Sequence, residues 1–225
     1  MKAMILAAGR GQRMGSLTEK IPKPLTKVND IPLIEHNIIR IRDAGITDIV
    51  INISWLGYKI KDYLGSGSRL GVNIHFVDEG KEMLGTGGGI LNALPVLGLN
   101  PFWLINADLY SDFQLDPIKE LENGKLAHLI LVNNPDHHLK GDFLLSGNLV
   151  TPITEYKIND SYTFSGMSII SPKLFDGMKQ KVFPLEPVLK KKSREKKISG
   201  ELYEGLWTDV GSQKRLRLLE NSLIK

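Results

Sequence analysis

The chain has 225 residues, of which 42% are hydrophobic and 24% are charged, so it can bury a core and has the composition of a globular domain. It contains no cysteine, which excludes disulfides, thiol nucleophiles and thiolate metal sites and fits a reducing cytoplasm. The net charge is +4, and a basic run over residues 190–197 is typical of a solvated face and not of a nucleic-acid site. No apolar run approaches the roughly 20 residues of a membrane span, and we expect no signal peptide, because the N-terminal residues lack a basic and then apolar leader.

The first predicted element is a short buried strand, residues 4–8, which runs into a glycine-rich bend. Gly9 and Gly11 let the backbone turn tightly and approach a ligand, and the exposed N–H groups of such a bend bind anions. Arg13 adds a planar charged fork that suits phosphate oxygens, and Lys23 adds a point charge on a segment stiffened by flanking prolines. Together these residues indicate a polyphosphate site.

Two common phosphate-binding motifs do not fit this bend. The third glycine, Gly15, stands one residue too late for a Rossmann fingerprint, and no Gly-Lys-Ser/Thr closes a P-loop. The string LAAGxGxRM, followed by PKPL at residues 22–25, instead resembles the signature of the sugar-phosphate nucleotidyltransferases, which make NDP-sugars from an NTP and a sugar 1-phosphate. The resemblance implies that Arg13 and Lys23 are catalytic and also bind the nucleotide. It assigns nucleotide binding as well to Ala8, Gly9, Gly11 and Gln12.

The next elements alternate between helix and strand. Isoleucines spaced three and four residues apart predict a helix that ends near Gly45. A β-branched strand over 48–53, a short helix over 58–64 and an alternating strand over 72–76 follow. This order predicts a parallel sheet covered on both faces, whose ligands bind beyond the carboxyl ends of the strands, where the glycine bend lies.

Four of the five residues 85–89 are glycine, which is unfavourable inside a regular element. We expect a loop that opens a helix after the last glycine and leaves N–H groups free for a ligand, and a flexible surface turn is the alternative. In the resembled family this loop lies against the base and the sugar, which implies that Gly85 and Gly87 contact the nucleotide and Gly88 the sugar substrate. The resemblance also makes Glu79 the acceptor for the pyrimidine N3–H, although a carboxylate equally matches the donor edge of guanine.

Two aspartates are candidate metal ligands. A buried strand over 102–105 is followed by Asn106 and Asp108, and Asp209 precedes a predicted C-terminal helix. A carboxylate at a buried strand end needs a partner, and a divalent cation is one, although a helix cap or a turn residue is the alternative. The resemblance implies that Asp108 is catalytic, that Asp108 and Asp209 hold Mg²⁺, and that Asn106 binds the nucleotide. Ala107 replaces the glycine that the family usually has there.

The stretch over residues 133–143 indicates which group within the nucleotidyltransferase family the chain resembles. Adjacent His137 and His138 suggest zinc, but neighbouring side chains rarely point at one metal from a regular element. The pattern Asn-Pro-x-His-His-x-x-Gly-Asp-Phe resembles the uridylyltransferases that act on N-acetylmuramate α-1-phosphate in bacterial cell-wall recycling. This resemblance implies that Asp142 contacts the sugar.

Further along, residues 143–145 and 149–156 predict a hairpin, and the segment around Gly166 predicts a return strand over the sugar. The resemblance places Gly166 among the substrate-binding residues. Glu155 and Lys157 fall where related enzymes keep a sugar-hydroxyl acceptor and a phosphate-binding lysine. We therefore count both as candidate substrate-binding residues.

We expect an α/β fold: a single three-layer Rossmann-like nucleotidyltransferase domain over residues 1–225, with a mixed, mostly parallel sheet, a sugar-binding part inserted at roughly 133–170 and no C-terminal β-helix domain. The resemblance implies that the enzyme transfers UMP from UTP to N-acetylmuramate α-1-phosphate with Mg²⁺ as cofactor. A guanylyl- or thymidylyltransferase acting on mannose or glucose 1-phosphate and a non-catalytic nucleotide-binding regulator are the alternatives. We expect a cytoplasmic monomer or weak homo-oligomer with small-molecule partners, and neither nucleic acid nor a membrane as partner.

Overall fold

A nine-stranded mixed sheet forms the centre of the molecule in the computed structural model, which describes residues 1–15, 17–153 and 160–223. In chain order the strands are β1 (Ala3–Leu6), β2 (Lys27–Val28), β3 (Ile31–Pro32), β4 (Asp48–Ile53), β5 (Asn73–Asp78), β6 (Phe102–Asn106), β7 (Leu109–Ser111), β8 (Ala127–Val132), β9 (Phe143–Ser146), β10 (Leu149–Pro152), β11 (Ser161–Ile170), β12 (Ile198–Tyr203) and β13 (Trp207–Asp209). The helices are α1 (Leu17–Lys20), α2 (Leu33–Asp43), α3 (Gly57–Leu64), α4 (Gly85–Leu97), α5 (Glu186–Arg194) and α6 (Gln213–Leu223). Within these described ranges, no helix has both the length and the apolar character needed to cross a membrane.

The strands of the sheet follow the order β5-β4-β1-β6-β11-β8-β12-β10-β9. The first four are mutually parallel and β12 runs parallel to β8, while β11, β10 and β9 pair in antiparallel fashion. The predicted mixed sheet is thus confirmed, and the strands of the predicted sugar-binding part belong to it. Leu6 at the end of β1 lies opposite Asn52 of β4 and Asn106 of β6, so three parallel strands present their carboxyl ends at one edge.

Helices cover both faces of the sheet, which confirms the three-layer prediction. Because side chains alternate along a strand, Ile5 of β1 packs with α2 and α3 in one core cluster while its neighbour Met4 packs with α4 and α5 in the other. Both side chains are completely buried. A smaller third cluster, which includes Met14 and Val210, joins α6 to the ribbon of β2 and β3.

The glycine-rich segment differs from its prediction. It is not a loop before a helix, because α4 already begins at Gly85 and contains all four glycines. The physical reason is close packing: a methyl group on Gly87 would overlap the ring of Phe183, one on Gly88 would overlap the carbonyl of Lys181, and one on Gly89 would overlap the carboxylate of Glu79. The propensity cost of glycine in a helix is only about 1 kcal/mol per residue, so tertiary contacts decide the outcome.

Gly88→Ala is expected to destabilise the protein by about 1–3 kcal/mol, because the added methyl meets a backbone carbonyl that cannot swing away as a side chain could. Urea unfolding followed by circular dichroism would measure this change. Gly9→Ala is the matched control, since a methyl group there meets nothing within 4 Å. An unfolding midpoint for Gly88→Ala equal to that of Gly9→Ala would contradict the packing argument.

Glu201 on β12 links stability to pH. His128, whose Nε2 lies 3.6 Å from Oε1, and Lys119, whose Nζ donates at 2.8 Å, lower the pKa of Glu201 to about 2 against the opposing effect of burial. A carboxylate with a lowered folded pKa stabilises the native state above its unfolded pKa, near 4.5, and loses that effect as the pH falls toward 2. We therefore expect the stability difference between the wild type and Glu201→Gln to be present at pH 6 and to shrink between about pH 4.5 and 2, as measured by urea unfolding. A difference that stays constant over this range would contradict the expectation.

Candidate active site

A cavity of about 450 Å³ opens at the edge of the sheet where β1, β4 and β6 end. Its wall combines the glycine bend, strand-end polar residues and the start of α4. The lining comprises Leu6, Ala7, Ala8, Gly9, Arg10, Gly11, Gln12, Arg13, Lys23, Pro24, Asn52, Glu79, Met83, Gly85, Thr86, Asn106, Ala107, Asp108 and Gly211. Most of the predicted nucleotide-binding residues therefore meet in one cavity, as expected for a parallel sheet whose ligands bind beyond the carboxyl ends of its strands.

The two glycines of the bend, Gly9 and Gly11, differ in why glycine is needed at each position. Gly11 has φ +64°, in the left-handed region, and a side chain there would also press on Lys23, so the fold itself requires glycine. Gly9 has an ordinary φ and open space around it, so only a closely approaching ligand would require a glycine there. The bend ends in a 3₁₀ turn that places the exposed Arg13 on the cavity wall, while the guanidinium of Arg10 lies 4.2 Å from the ring centre of Trp55.

Lys23 lies beneath the glycine bend and points at the first candidate metal ligand. Its segment forms a 3₁₀ turn that Pro22 initiates, and the residue is only 8% exposed although it is charged. Its ammonium forms an ion pair with the carboxylate of Asp108. A buried lysine needs such a partner, so the pair fixes the position of a positive charge at the floor of the cavity.

Asp108 and Asp209 lie next to each other at one end of the two-stranded ribbon of β7 and β13. In the antiparallel pairing of β7 with β13, Asp209 stands opposite Leu109, and the N–H of Val210 donates to the carbonyl of Asp108 at 2.8 Å. Asp108 lines the cavity, whereas Asp209 itself does not, although Gly211 does. The two aspartates are therefore neighbours at the level of the backbone, and their role as metal ligands stays a prediction.

The carboxylate of Asp209 forms an ion pair with Arg215 of α6. Nη1 of Arg215 lies 2.6 and 2.7 Å from its two oxygens, and Nε2 of His137 lies 3.1 Å from Oδ1. A side chain on Gly211 would collide with the guanidinium of Arg215, so this glycine admits the arginine. Both candidate metal ligands are thus paired with basic side chains within the chain itself.

The donor set fits Mg²⁺ better than a metal that needs a full protein cage. Mg²⁺ typically takes one or two carboxylates and completes its shell with substrate phosphates and water. Asp108 and Asp209 are two such carboxylates beside a polyphosphate-sized cavity, and each has a basic side chain as its partner. Among the described residues, no group of three His, Cys, Asp or Glu side chains could hold a metal alone, and His137 and His138 each face a different aspartate.

Asn52 is a site residue that the sequence analysis did not identify. Its Oδ1 accepts the N–H of Ala7 at 2.9 Å, and its Nδ2 donates to Oε1 of Glu79 at 2.6 Å. The other oxygen of Glu79 accepts the N–H of Leu84 at 3.0 Å. A polar residue near the end of an otherwise apolar buried strand was the signal that could have found Asn52, and its contacts hold the Glu79 carboxylate at the cavity wall.

Several other predicted residues lie outside the cavity lining. The N–H groups of Gly87 and Gly88 donate to the carbonyl of Phe183 at 3.0 and 3.1 Å, so they are not free for a ligand, while Gly85 and Thr86 do line the cavity. The predicted loop with free N–H groups is therefore wrong at these two positions.

On the predicted sugar side, Asp142 and Gly166 have structural partners. One oxygen of Asp142 lies 2.9 Å from Nε2 of His138 and the other accepts the N–H of Phe164 at 2.8 Å. Gly166 has φ +82° and leaves room for the side-chain amide of Asn106. Neither residue is part of the cavity lining. Glu155 and Lys157 lie outside the described residues, so their roles stay predictions.

The sequence is similar to curated enzymes over nearly its whole length. It is 46% identical over 223 residues to an N-acetylmuramate alpha-1-phosphate uridylyltransferase from Neisseria meningitidis serogroup B, covering 96% of each chain. A protein of the same name from Caulobacter vibrioides is 28% identical, with 93% of this chain and 91% of the relative covered. The mannose-1-phosphate guanyltransferase of Saccharomyces cerevisiae is 30% identical over 95% of this chain and 62% of its own length.

The fold also matches solved structures. HddC from Yersinia pseudotuberculosis, solved with GMP-PN, superposes with a TM-score of 0.81 at 22% identity and covers 99% of both chains. The inositol-1-phosphate CTP transferase from T. maritima superposes with a TM-score of 0.76 at 20% identity and covers 100% of this chain and 96% of that one. The family model described as nucleotidyl transferase matches residues 2–141, which include the glycine bend, Lys23 and Asp108. The chain belongs to the nucleotidyltransferase family, as a sugar-1-phosphate nucleotidyltransferase.

Proposed function

We propose that this enzyme transfers UMP from UTP to N-acetylmuramate α-1-phosphate and releases UDP-N-acetylmuramate and pyrophosphate. The observation that carries the proposal is the 46% identity, over 96% of both chains, to a uridylyltransferase with that acceptor. The cavity at the ends of β1, β4 and β6 supports it with a glycine bend, Arg13, Lys23 and Asp108. We also propose that the reaction takes place in the cytoplasm and that the enzyme acts as a monomer or weak homo-oligomer.

In the proposed reaction, a phosphate oxygen of the acceptor attacks the α-phosphorus of UTP in line. A bond forms between that oxygen and the α-phosphorus, and the bond from the α-phosphorus to the bridging oxygen of the β-phosphate breaks. The electron pair leaves on pyrophosphate. The attacking oxygen is already ionised near neutral pH, so the enzyme needs no general base, and catalysis rests on positioning and on charge neutralisation.

We assign each role to side chains at the cavity. The N–H groups of the bend at Gly9 and Gly11 would bind the triphosphate, with Arg13 beside its β- and γ-phosphates. The ammonium group of Lys23 would leave Asp108 and pair with the phosphates when the nucleotide binds. Asp108 and Asp209 would hold Mg²⁺, which supplies charge neutralisation at the α-phosphate when bound.

The pyrimidine would be recognised by Glu79, whose orientation Asn52 and the N–H of Leu84 fix. A carboxylate with one lone pair left on each oxygen can accept the N3–H of uracil. The acceptor would lie on the side of the ribbon where residues 137–142 and α6 approach Asp209. The remaining predicted sugar contacts, Gly88, Asp142, Glu155, Lys157 and Gly166, stay part of this proposal.

The test is a substrate matrix. Each of the four NTPs is combined with N-acetylmuramate, N-acetylglucosamine, glucose and mannose 1-phosphates, and pyrophosphate release is measured with Mg²⁺. We expect the highest kcat/KM for UTP with N-acetylmuramate α-1-phosphate. N-acetylglucosamine 1-phosphate is the matched control, because it lacks only the lactyl ether of the muramate.

A guanylyltransferase is the second candidate, since a yeast mannose-1-phosphate guanyltransferase is 30% identical over 95% of this chain and Glu79 equally suits the donor edge of guanine. The highest kcat/KM for GTP with mannose 1-phosphate would favour it over the uridylyltransferase. The absence of pyrophosphate with every pair would favour a nucleotide-binding regulator instead.

A further inference from the structure

The basic run near residues 190–197, read from sequence as a solvated face, borders a second cavity. This cavity has a volume of about 860 Å³, and none of the described residues lines both cavities. Three lysines of the run line it: Lys191, Lys192 and Lys197. The structure adds Lys173 and Lys179 from the preceding stretch of the chain, so five lysines line one cavity.

These positive charges are largely uncompensated. Among the described residues, Asp176 is the one carboxylate in the lining, and Lys192 pairs with Glu195 at 2.8 Å. In the part of the chain that the structure describes, no carboxylate lies within 4 Å of the ammonium groups of the other four lysines. The hydrogen bond from Lys192 lowers the pKa of Glu195, and the fields of Lys191 and Lys197 add to this, which shows that their charges act on the same region.

The floor of the second cavity is apolar and partly aromatic. It contains the buried ring of Phe183, the side chains of Met178 and Val188, and two prolines, Pro184 and Pro187. A lining that combines apolar side chains with five lysines matches a ligand that has a ring at one end and phosphates at the other. The volume is also within the range of about 300–1,000 Å³ that is usual for small-molecule sites.

Phe183 also connects this cavity to the start of α4. Its carbonyl accepts the N–H groups of Gly87 and Gly88, and its own N–H donates to the carbonyl of Leu84 at 2.9 Å. The N–H of Leu185 donates to Oγ1 of Thr86 at 2.8 Å, and Thr86 lines the first cavity. A ligand on the floor of the second cavity therefore contacts the segment that anchors one wall of the first.

We propose that the second cavity is a binding site for a nucleoside phosphate, separate from the active site. The base would pack on the accessible apolar side chains of the lining, Met178, Pro184 and Pro187, and the phosphates would be bound by Lys173, Lys179, Lys191 and Lys197. This site does not depend on which sugar or base the active site uses. It gives the basic run of the sequence a role beyond solubility.

Calorimetric titration with UDP in the absence of divalent metal tests the proposal. We expect two UDP molecules per chain in the wild type, and in Lys191→Ala/Lys197→Ala a second site weakened by about 10-fold or more, since two charge contacts are lost. Lys190→Ala/Arg194→Ala is the matched control, because it removes two charges of the same run that do not line the cavity, and it should leave both sites intact. Circular dichroism verifies the fold, and Lys173→Ala/Lys179→Ala serves as an independent second variant.

One UDP per chain, unchanged in both lining variants, would overturn the proposal whatever the substrate matrix shows. Inorganic pyrophosphate in place of UDP tests the role of the apolar floor. We expect it to bind the second site at least about 10-fold more weakly than UDP, because it lacks the ring that buries apolar surface. Equal affinity would overturn the assignment to a nucleoside phosphate.

Discussion

Asp108→Asn is expected to lower kcat by about 1000-fold while leaving the fold intact, a loss of the size seen when one electrostatic contact to a transition state is removed. Asparagine keeps the size of the side chain but removes the negative charge, so the site would lose a ligand for the cation and the partner of Lys23. The backbone around residue 108 should not change, because Ala107 donates to the carbonyl of Leu6 and Val210 donates to the carbonyl of Asp108 through main-chain groups.

Pyrophosphate release in the presence of Mg²⁺ would measure this loss, and thermal melting followed by circular dichroism would confirm the fold. Asp62→Asn is the matched control, since Asp62 is an exposed aspartate on α3, outside the cavity lining, and its loss should leave kcat unchanged. Near-normal turnover of Asp108→Asn would refute its role at the metal. A large loss of stability would instead show that its ion pair with Lys23 is mainly structural.

Local signals in the sequence predicted most of the fold. The continuous β-branched run that became β4 and the short helix that became α3 were predicted from neighbouring residues, and the predicted hairpin appears as β9 and β10. The positions of these elements follow from local signals, namely β-branched runs, the spacing of apolar residues and turn residues, which act within a few residues. The prediction of a loop at the glycines of α4 failed because these glycines are required by long-range contacts. They pack against Lys181 and Phe183, about a hundred residues later in the chain, and no local pattern reveals such contacts.

The candidate site was predictable to the same extent. Gly11, Lys23 and Asp108 carry motif signals, and the structure brings them into one cavity because parallel strands end at a common edge. Arg215 could not be predicted, since nothing in its own surroundings marks it, and its role follows only from the turn that places α6 against Asp209. Which charged side chains lie together is decided by contacts between distant segments of the chain, and not by residue type alone.

Lys23→Met should reduce kcat/KM for UTP by about 100-fold, because the positive charge proposed to neutralise the phosphates is lost while the alkyl stem and its packing under Gly11 are kept. The same change removes the cation that pairs with Asp108, so the affinity for Mg²⁺ without nucleotide should rise as the affinity for UTP falls. Titration calorimetry would measure both affinities, and Lys27→Met on β2, an exposed lysine outside the cavity, is the control. A parallel fall in both affinities would show that Lys23 supports the site only by holding Asp108 in place, and an unchanged kcat/KM would remove Lys23 from the catalytic set.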